Sequence, residues 1–209
     1  MEKKTVNIAV LVSGGGTNLQ AIIDAEQSGI ITSGKVVLVI SSNENAYALK
    51  RADKAGIPTV TVPRKKCGSS EVFEDRLIKE LEKADIDLIV LAGFMCILSS
   101  RFTAKYERRI INVHPSLIPS FCGEGFYGLH VHEAVLEKGV KITGATVHFV
   151  NEVPDGGEII EQKAVRVRKG DTPEKLQRRV MEQAEWKILP ESVEKVSRFI
   201  LPEVEQKGK

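Results

Sequence analysis

Asn112 and His114 stand two residues apart in the β-branched stretch "IINVHPSLIP" (110–119). Side chains alternate faces along a strand, so the amide and the imidazole share one wall. An amide offers hydrogen-bond donors in a fixed plane, and an imidazole exchanges a proton near neutral pH, so the two together can hold and move charge. Pro115 has no N–H and biases His114 toward an extended backbone, which places the ring at or near the strand's last rung. Ends of strands are where α/β proteins keep their chemistry. A satisfied structural contact between amide and ring has the same spacing, so the pair alone leaves both readings open.

"SGGGTN" (13–18) lies between an apolar run and a helix-like stretch, where backbone N–H groups and a helix N-terminus can cradle a phosphate. It is not a P-loop, since no Gly-Lys-Ser/Thr follows. It lacks the third glycine of a dinucleotide fingerprint, and the second strand does not end on an acidic residue suited to a ribose. A tight turn that binds nothing would look the same. "VPDGGEII" sets Asp155 before two glycines, a common turn signal, and sequence separation does not show whether it meets His114. The four histidines, His114, His130, His132 and His148, raise a metal site, but His130 and His132 are two apart, which on a helix points them away from each other. No metal is expected. Cys122 has no histidine beside it to activate a thiol, and the basic stretches "QRRV" and "VRVRK" read as solvated faces.

The elements that must position these groups are legible in the apolar pattern. Runs at 7–12, 36–40, 59–62, 87–93 and 109–113 are continuous, as in strands buried on both faces. Between them, 18–28 and 71–84 put apolar residues on one helical face. This alternation predicts an α/β fold with a doubly wound, mostly parallel sheet. After Pro119 the pattern changes to a loop, a short helix closed by Gly139, and two strands joined by the "PDGGE" turn, which predicts an antiparallel C-terminal part. Thr172 and Pro173 open a final long helix as N-cap and first helical residue. A single domain over 1–209 is expected, with lobes 1–115 and 116–209.

The 209 residues are 42% hydrophobic and 28% charged, the balance of an ordinary globular protein, so a sizeable core can form. A formal charge of +2 supplies no global field for nucleic acid or a membrane surface. Three cysteines without CxxC spacing argue for reduced thiols. No stretch reaches the roughly 18 apolar residues of a membrane span, and no signal-peptide cleavage pattern follows the N-terminal run, so a cytoplasmic protein is expected.

Taken in order, "VLVSGGGTNLQAI", "LAGFMCILS", "IINVHPSLIPSF", "GATVHFV" and "PDGGEII" resemble the glycinamide ribonucleotide formyltransferases, a branch of the folate-dependent formyltransferase family. The resemblance covers nearly the whole chain and implies the Rossmann-like formyltransferase fold. It implies a reaction in which the amine of glycinamide ribonucleotide attacks the formyl carbon of the co-substrate 10-formyltetrahydrofolate, with Asn112, His114 and Asp155 in the catalytic positions. These types suit a tetrahedral oxyanion: Asn112 can donate to it, protonated His114 can neutralise it, and a nearby Asp155 would favour the imidazolium and accept a proton. By the same resemblance Gly15, Gly16, Thr17 and Asn18 form the substrate-phosphate turn, and Glu185 meets ribose hydroxyls. Met95, Cys96, Ile97, Leu98 and Val150 line the folate site.

Three features depart from the family pattern. Cys96 stands where many relatives have arginine after "Phe-Met", so that side chain's help with the folate carboxylate is missing. "SFCGEGFYGLH" is longer than the connection in some members, and "WKILP" replaces a His-containing end. Methionyl-tRNA formyltransferase and formyltetrahydrofolate deformylase share the Asn-His-Asp core. The first is expected to need a C-terminal RNA-binding domain for which no residues remain, and the second an N-terminal regulatory domain, whereas here a strand begins near residue 7. A non-catalytic nucleotide-binding module would have no need of all three polar residues. The partners expected are the two small molecules, with a monomer or homodimer both open.

Overall fold

All of Val6–Val12 except Asn7 is buried, and the runs Val36–Ser41 and Leu88–Leu91 are almost as fully enclosed, so these segments form the interior strands of a sheet covered on both faces. The computed structural model describes residues 5–206. Its elements are β1 (Val6–Val12), α1 (Thr17–Gln27), β2 (Gly34–Ser41), α2 (Tyr47–Lys54), β3 (Thr59–Thr61), α3 (Ser70–Lys83), β4 (Leu88–Leu91), α4 (Ser100–Lys105), β5 (Ile110–His114), α5 (Leu129–Lys138), β6 (Ile142–Phe149), β7 (Ile159–Arg166), α6 (Pro173–Val180) and α7 (Trp186–Gln206). The seven strands have the order β3-β2-β1-β4-β5-β6-β7. β1 pairs in parallel with β2 and β4, and β2 with β3, whereas β6 runs antiparallel to both β5 and β7. This is the expected Rossmann-like, mostly parallel sheet with an antiparallel C-terminal part.

Two compact units share the chain: one runs to Leu98 and takes in the residues from Val193, the other is Ser99–Ser192. β5 is hydrogen-bonded to β6, so it groups with the strands that follow it. The end of α7 groups with the first unit because the Glu194 carboxylate accepts the N–H groups of Thr32 (2.8 Å) and Ser33 (2.9 Å) at the approach to β2.

In the first unit, Leu19, Ile22 and Ile23 of α1 and Phe73, Leu77 and Leu81 of α3 are buried, the faces their spacing implies. α2 buries only Ala48 and Ala52, too weak an apolar signal to be read as a helix beforehand. In the second unit, Thr172 caps α6 by accepting from the Lys175 N–H (3.3 Å), and Gly139 ends α5 in the left-handed conformation (φ 73°). The final helix is not continuous α-helix: Met181–Glu185 forms a π turn between α6 and α7. A one-residue expansion of this kind swings the following side chains around the axis, and it leaves Glu185 buried. No helix among the described residues is long and apolar enough to cross a membrane.

Candidate active site

The antiparallel register of β5 and β6 sets Asn112 opposite His148 and His114 opposite Thr146. Directly opposed side chains on one face of a sheet are within contact range, and Asn112 Nδ2 lies 3.2 Å from His148 Nε2. The Phe149 carbonyl is 2.8 Å from His148 Nδ1. A carbonyl only accepts, so that nitrogen carries a proton and Nε2 is left for the Asn112 amide.

Asp155 reaches the same wall from the turn after β6. Its own backbone is left-handed (φ 56°), a conformation that aspartate tolerates better than most residues. Gly157 makes the turn possible, since a Cβ there would run into the Phe149 carbonyl. The Asp155 carboxylate is thereby turned inward: Oδ2 accepts the Gly123 N–H (2.8 Å) and lies 3.4 Å from His114 Nδ1, while Oδ1 lies 3.5 Å from His148 Nε2. On the other side of the His114 ring, Nε2 donates to the Phe121 carbonyl at 2.8 Å. Phe121 is itself held at φ 51°, unusual for a bulky side chain and typical of strain kept at a functional site. Asn112, His114 and Asp155, far apart in sequence, form one polar cluster with His148.

Burial lowers the pKa of His114, and nearby His148 acts the same way; the Asp155 carboxylate and the Phe121 carbonyl pull upward without overturning it. The ring therefore holds its proton less tightly than an ordinary histidine. Asp155 does favour the imidazolium, as its residue type suggested, but desolvation is the larger effect. Burial also pushes the Asp155 carboxyl up, yet the facing His148 and His114 rings and the Gly123 N–H outweigh it and hold it below the usual range. The cluster thus pairs an ionised carboxylate with an imidazole whose Nδ1 can take a proton, and the resulting imidazolium would face an acceptor on each side. Sequence reasoning did not assign His148 to this cluster. Its signal was the Thr146 and His148 pair in an apolar strand, the same two-residue spacing as Asn112 and His114.

In the first unit, the strand order reverses at β1, and the carboxyl ends of β1 and β4 flank this switch point, where open α/β sheets bind ligands. The turn after β1 holds Gly15, Gly16, Thr17 and Asn18. Gly16 is the N-cap of α1 at φ 71°, a Cβ there would sit 2.6 Å from the Ala48 Cβ, and no side chain caps the helix, so its first N–H groups can meet an anion. Arg51 braces the turn, donating from Nε to the Gly15 carbonyl (2.9 Å) and from Nη1 to Gln20 Oε1 (3.2 Å). Beside it runs the loop after β4: Ser13 N–H donates to the Gly93 carbonyl (3.2 Å), and Ser13 Oγ accepts the Met95 N–H (2.9 Å).

Met95 and Ile97 are exposed in this loop, 55% and 74%, while Leu98 is buried and Cys96 half-buried. Val150, in the second unit, commits its N–H to the Ile110 carbonyl (2.9 Å). Glu185 is buried at the π turn. Among the described residues no three His, Cys, Asp or Glu side chains group to hold a metal ion. His130 is exposed against Glu133, and His132 is buried on the other side of its helix.

Comparison with known proteins bears on this arrangement. The model of the formyl transferase family matches residues 6–193. Phosphoribosylglycinamide formyltransferase of Haemophilus influenzae is 43% identical, over 88% of this chain and 83% of that protein. The trifunctional purine biosynthetic protein adenosine-3 of Gallus gallus is 44% identical over 94% of this chain, which spans only 19% of that longer relative. The crystal structure of glycinamide ribonucleotide transformylase 1 from Symbiobacterium toebii superposes with a TM-score of 0.85 at 41% identity, covering 91% of this chain and 86% of that one. With sequence and fold similar over nearly its whole length to proteins of one kind, this chain belongs to the formyl transferase family.

Proposed function

We propose that the protein is a phosphoribosylglycinamide formyltransferase, passing the formyl group of 10-formyltetrahydrofolate to the amine of glycinamide ribonucleotide in purine biosynthesis. The observation that carries the mechanism is the Asp155 carboxylate 3.4 Å from His114 Nδ1, with Asn112 two residues before the ring on the same strand face. The amine attacks the formyl carbon, and the formyl oxygen becomes an oxyanion. The Asn112 amide donates to that oxygen. The proton shed by the amine passes to the Asp155–His114 pair, directly or through water. The imidazolium so formed offsets the negative charge, and the proton is then returned to N10 of the folate as its bond to carbon breaks. His148 is a positioning residue, orienting the Asn112 amide and the Asp155 carboxylate.

The Gly15–Asn18 turn holds the substrate phosphate by its N–H groups and the α1 N-terminus. Glu185 meets ribose hydroxyls, and residues 95–98 with Val150 receive the folate. A reducing cytoplasm suits the three free cysteines. The test is to mix the enzyme with 10-formyltetrahydrofolate and follow the folate spectrum with and without glycinamide ribonucleotide. Release that requires the amine is the expected result. Release without it would instead mean a hydrolase, and no release in either case would sink the assignment.

A further inference from the structure

Arg108 stands just before β5, in the connection from α4, and its backbone is left-handed (φ 55°). That conformation crowds the Cβ of an ordinary side chain and is free only to glycine. An arginine kept there points to a use for its side chain, and the use is visible in what the guanidinium touches. It lies over the Phe149 ring, 4.7 Å from the centroid, and its Nη1 pairs with the Glu158 carboxylate. Both partners of that ion pair are more than half exposed (53% and 61%), so the pair by itself adds little to stability. Resting on an aromatic ring, however, the guanidinium is oriented as well as paired.

The two residues it grips are the two ends of one turn. Phe149 is the last residue of β6, and Glu158 immediately precedes β7. Across that base the Phe149 N–H donates to the Glu158 carbonyl (2.8 Å), and between them lie the residues that carry Asp155. Phe149 also sets His148, whose Nδ1 donates to its carbonyl. The backbone fastens the Phe149 side of the turn to β5, through the Ile111–Phe149 register and the Val150 N–H on the Ile110 carbonyl. Arg108 extends that fastening to the Glu158 side. The segment that leads into Asn112 and His114 is thereby joined, through one side chain, to the turn that carries the carboxylate.

Within the turn the bonds are local: Asn151 Oδ1 accepts the Val153 N–H (3.0 Å), and the Val153 carbonyl accepts the Gly156 N–H (2.9 Å). They shape the turn without fixing its direction. A carboxylate 3.4 Å from His114 Nδ1 and 3.5 Å from His148 Nε2 is at the outer edge of hydrogen-bond range, so a small rotation of the turn about its base changes both separations.

We propose that Arg108 is a positioning residue for the reaction: by holding Phe149 and Glu158 together it fixes the turn that aims the Asp155 carboxylate at His114. The inference rests on the roles proposed above for Asp155 and His114, and it adds to them a residue outside the polar cluster.

The test uses three variants of the full chain. Arg108→Met keeps an apolar stem over Phe149 and loses the fork, Arg108→Gly relaxes the left-handed backbone and removes the grip, and Arg108→Lys restores a charge without the planar fork. Arg108→Met and Arg108→Gly are each expected to lower kcat for formyl transfer about fivefold, with KM for glycinamide ribonucleotide within about twofold. Arg108→Lys should recover part of the loss. In an Asp155→Asn background the same substitutions should change kcat by less than about twofold, because the carboxylate they disturb is already neutral. Equal losses in both backgrounds, no loss in either, or an Arg108→Gly variant as active as the unaltered protein would each overturn the proposal.

Imidazole NMR gives a reading without turnover. Asp155 pulls the His114 pKa upward, so a carboxylate that swings away lets the ring titrate at lower pH, whereas loss of a positive charge alone would move it the other way. The other groups that act on the ring, the Phe121 carbonyl, His148 and His132, are left in place by the substitution. His114 in Arg108→Met should shift toward its value in Asp155→Asn; an unchanged or raised value would overturn the proposal. This reading follows the aim of the carboxylate whichever acceptor receives the formyl group, so it separates failure of this inference from failure of the transferase reading.

Discussion

In the proposed mechanism His114 is a base before it is an acid. Its burial favours the neutral ring, and the proton it holds during that reaction is one the chemistry delivers, with Asp155 and the Phe121 carbonyl placed to receive both N–H groups. Activity should therefore fall on the acid side as pH drops through the His114 pKa, which lies below the ordinary histidine value, and the pH profile of kcat/KM reads this directly. Asp155→Asn removes the charge that pulls that pKa upward, so imidazole NMR should show His114 titrating at still lower pH in the variant. Asn112→Ala, His114→Ala and Asp155→Ala should each lower kcat by roughly 10²- to 10⁴-fold. Circular dichroism melts should show that the variants fold; rates near wild type in folded protein would refute the roles assigned. The types and two-residue spacing of Asn112 and His114 were legible in the sequence. That Asp155 joins them was given only by the family resemblance and not by the local pattern, because a turn residue's direction depends on a left-handed backbone angle and a glycine two residues on.

At the level of elements, the turn between β6 and β7 decides whether the carboxylate is in the site. Gly157→Ala places a methyl against the Phe149 carbonyl, whose residue also donates its N–H to the Glu158 carbonyl at 2.8 Å. The turn must shift to make room. The expected outcome is a drop in kcat approaching that of Asp155→Ala with only a modest loss of stability, measured by steady-state kinetics beside urea unfolding. The π turn at Met181–Glu185 was invisible to periodicity, since a single widened turn barely disturbs the four-residue spacing of Leu176, Val180 and Ala184. α2 was missed for another reason: its buried residues are alanines, and its role is to bring Ala48 and Arg51 against the glycine turn rather than to fill volume.

For the molecule as a whole, two buried ionisable groups make stability depend on pH. Glu194 accepts from the Thr32 and Ser33 backbones, both their hydroxyls and Arg198. Burial alone would raise its pKa, but these donors hold it at about 2. Its contribution is present above the usual glutamate range and is lost as pH falls toward 2. Glu194→Gln should cost roughly 2 kcal/mol at neutral pH, measured by urea unfolding.

His132 is fully buried with neither ring nitrogen meeting a protein partner, and burial, with His114 nearby, lowers its pKa to about 4. The folded state binds that proton less well than the unfolded chain. The stability tied to the neutral ring is therefore complete above about 6.5 and falls away down to about 4, by roughly 3 kcal/mol in all. His132→Met should flatten this slope between pH 7 and 4. An unchanged slope would show that the ring is not the group responsible.

By itself the sequence determined the seven strands in chain order, most of the helices between them, the parallel first half, the antiparallel pair after Pro119, and the amide and imidazole on one strand face. Each of these follows from local alternation, capping or a proline, which act over a few residues. Only the tertiary structure decided what those groups meet. Strand register set His148 against Asn112, a positive φ turned Asp155 toward His114, and burial overrode the carboxylate's pull on the ring. Register, desolvation and the approach of distant segments depend on residues tens of positions apart, and no local pattern encodes them.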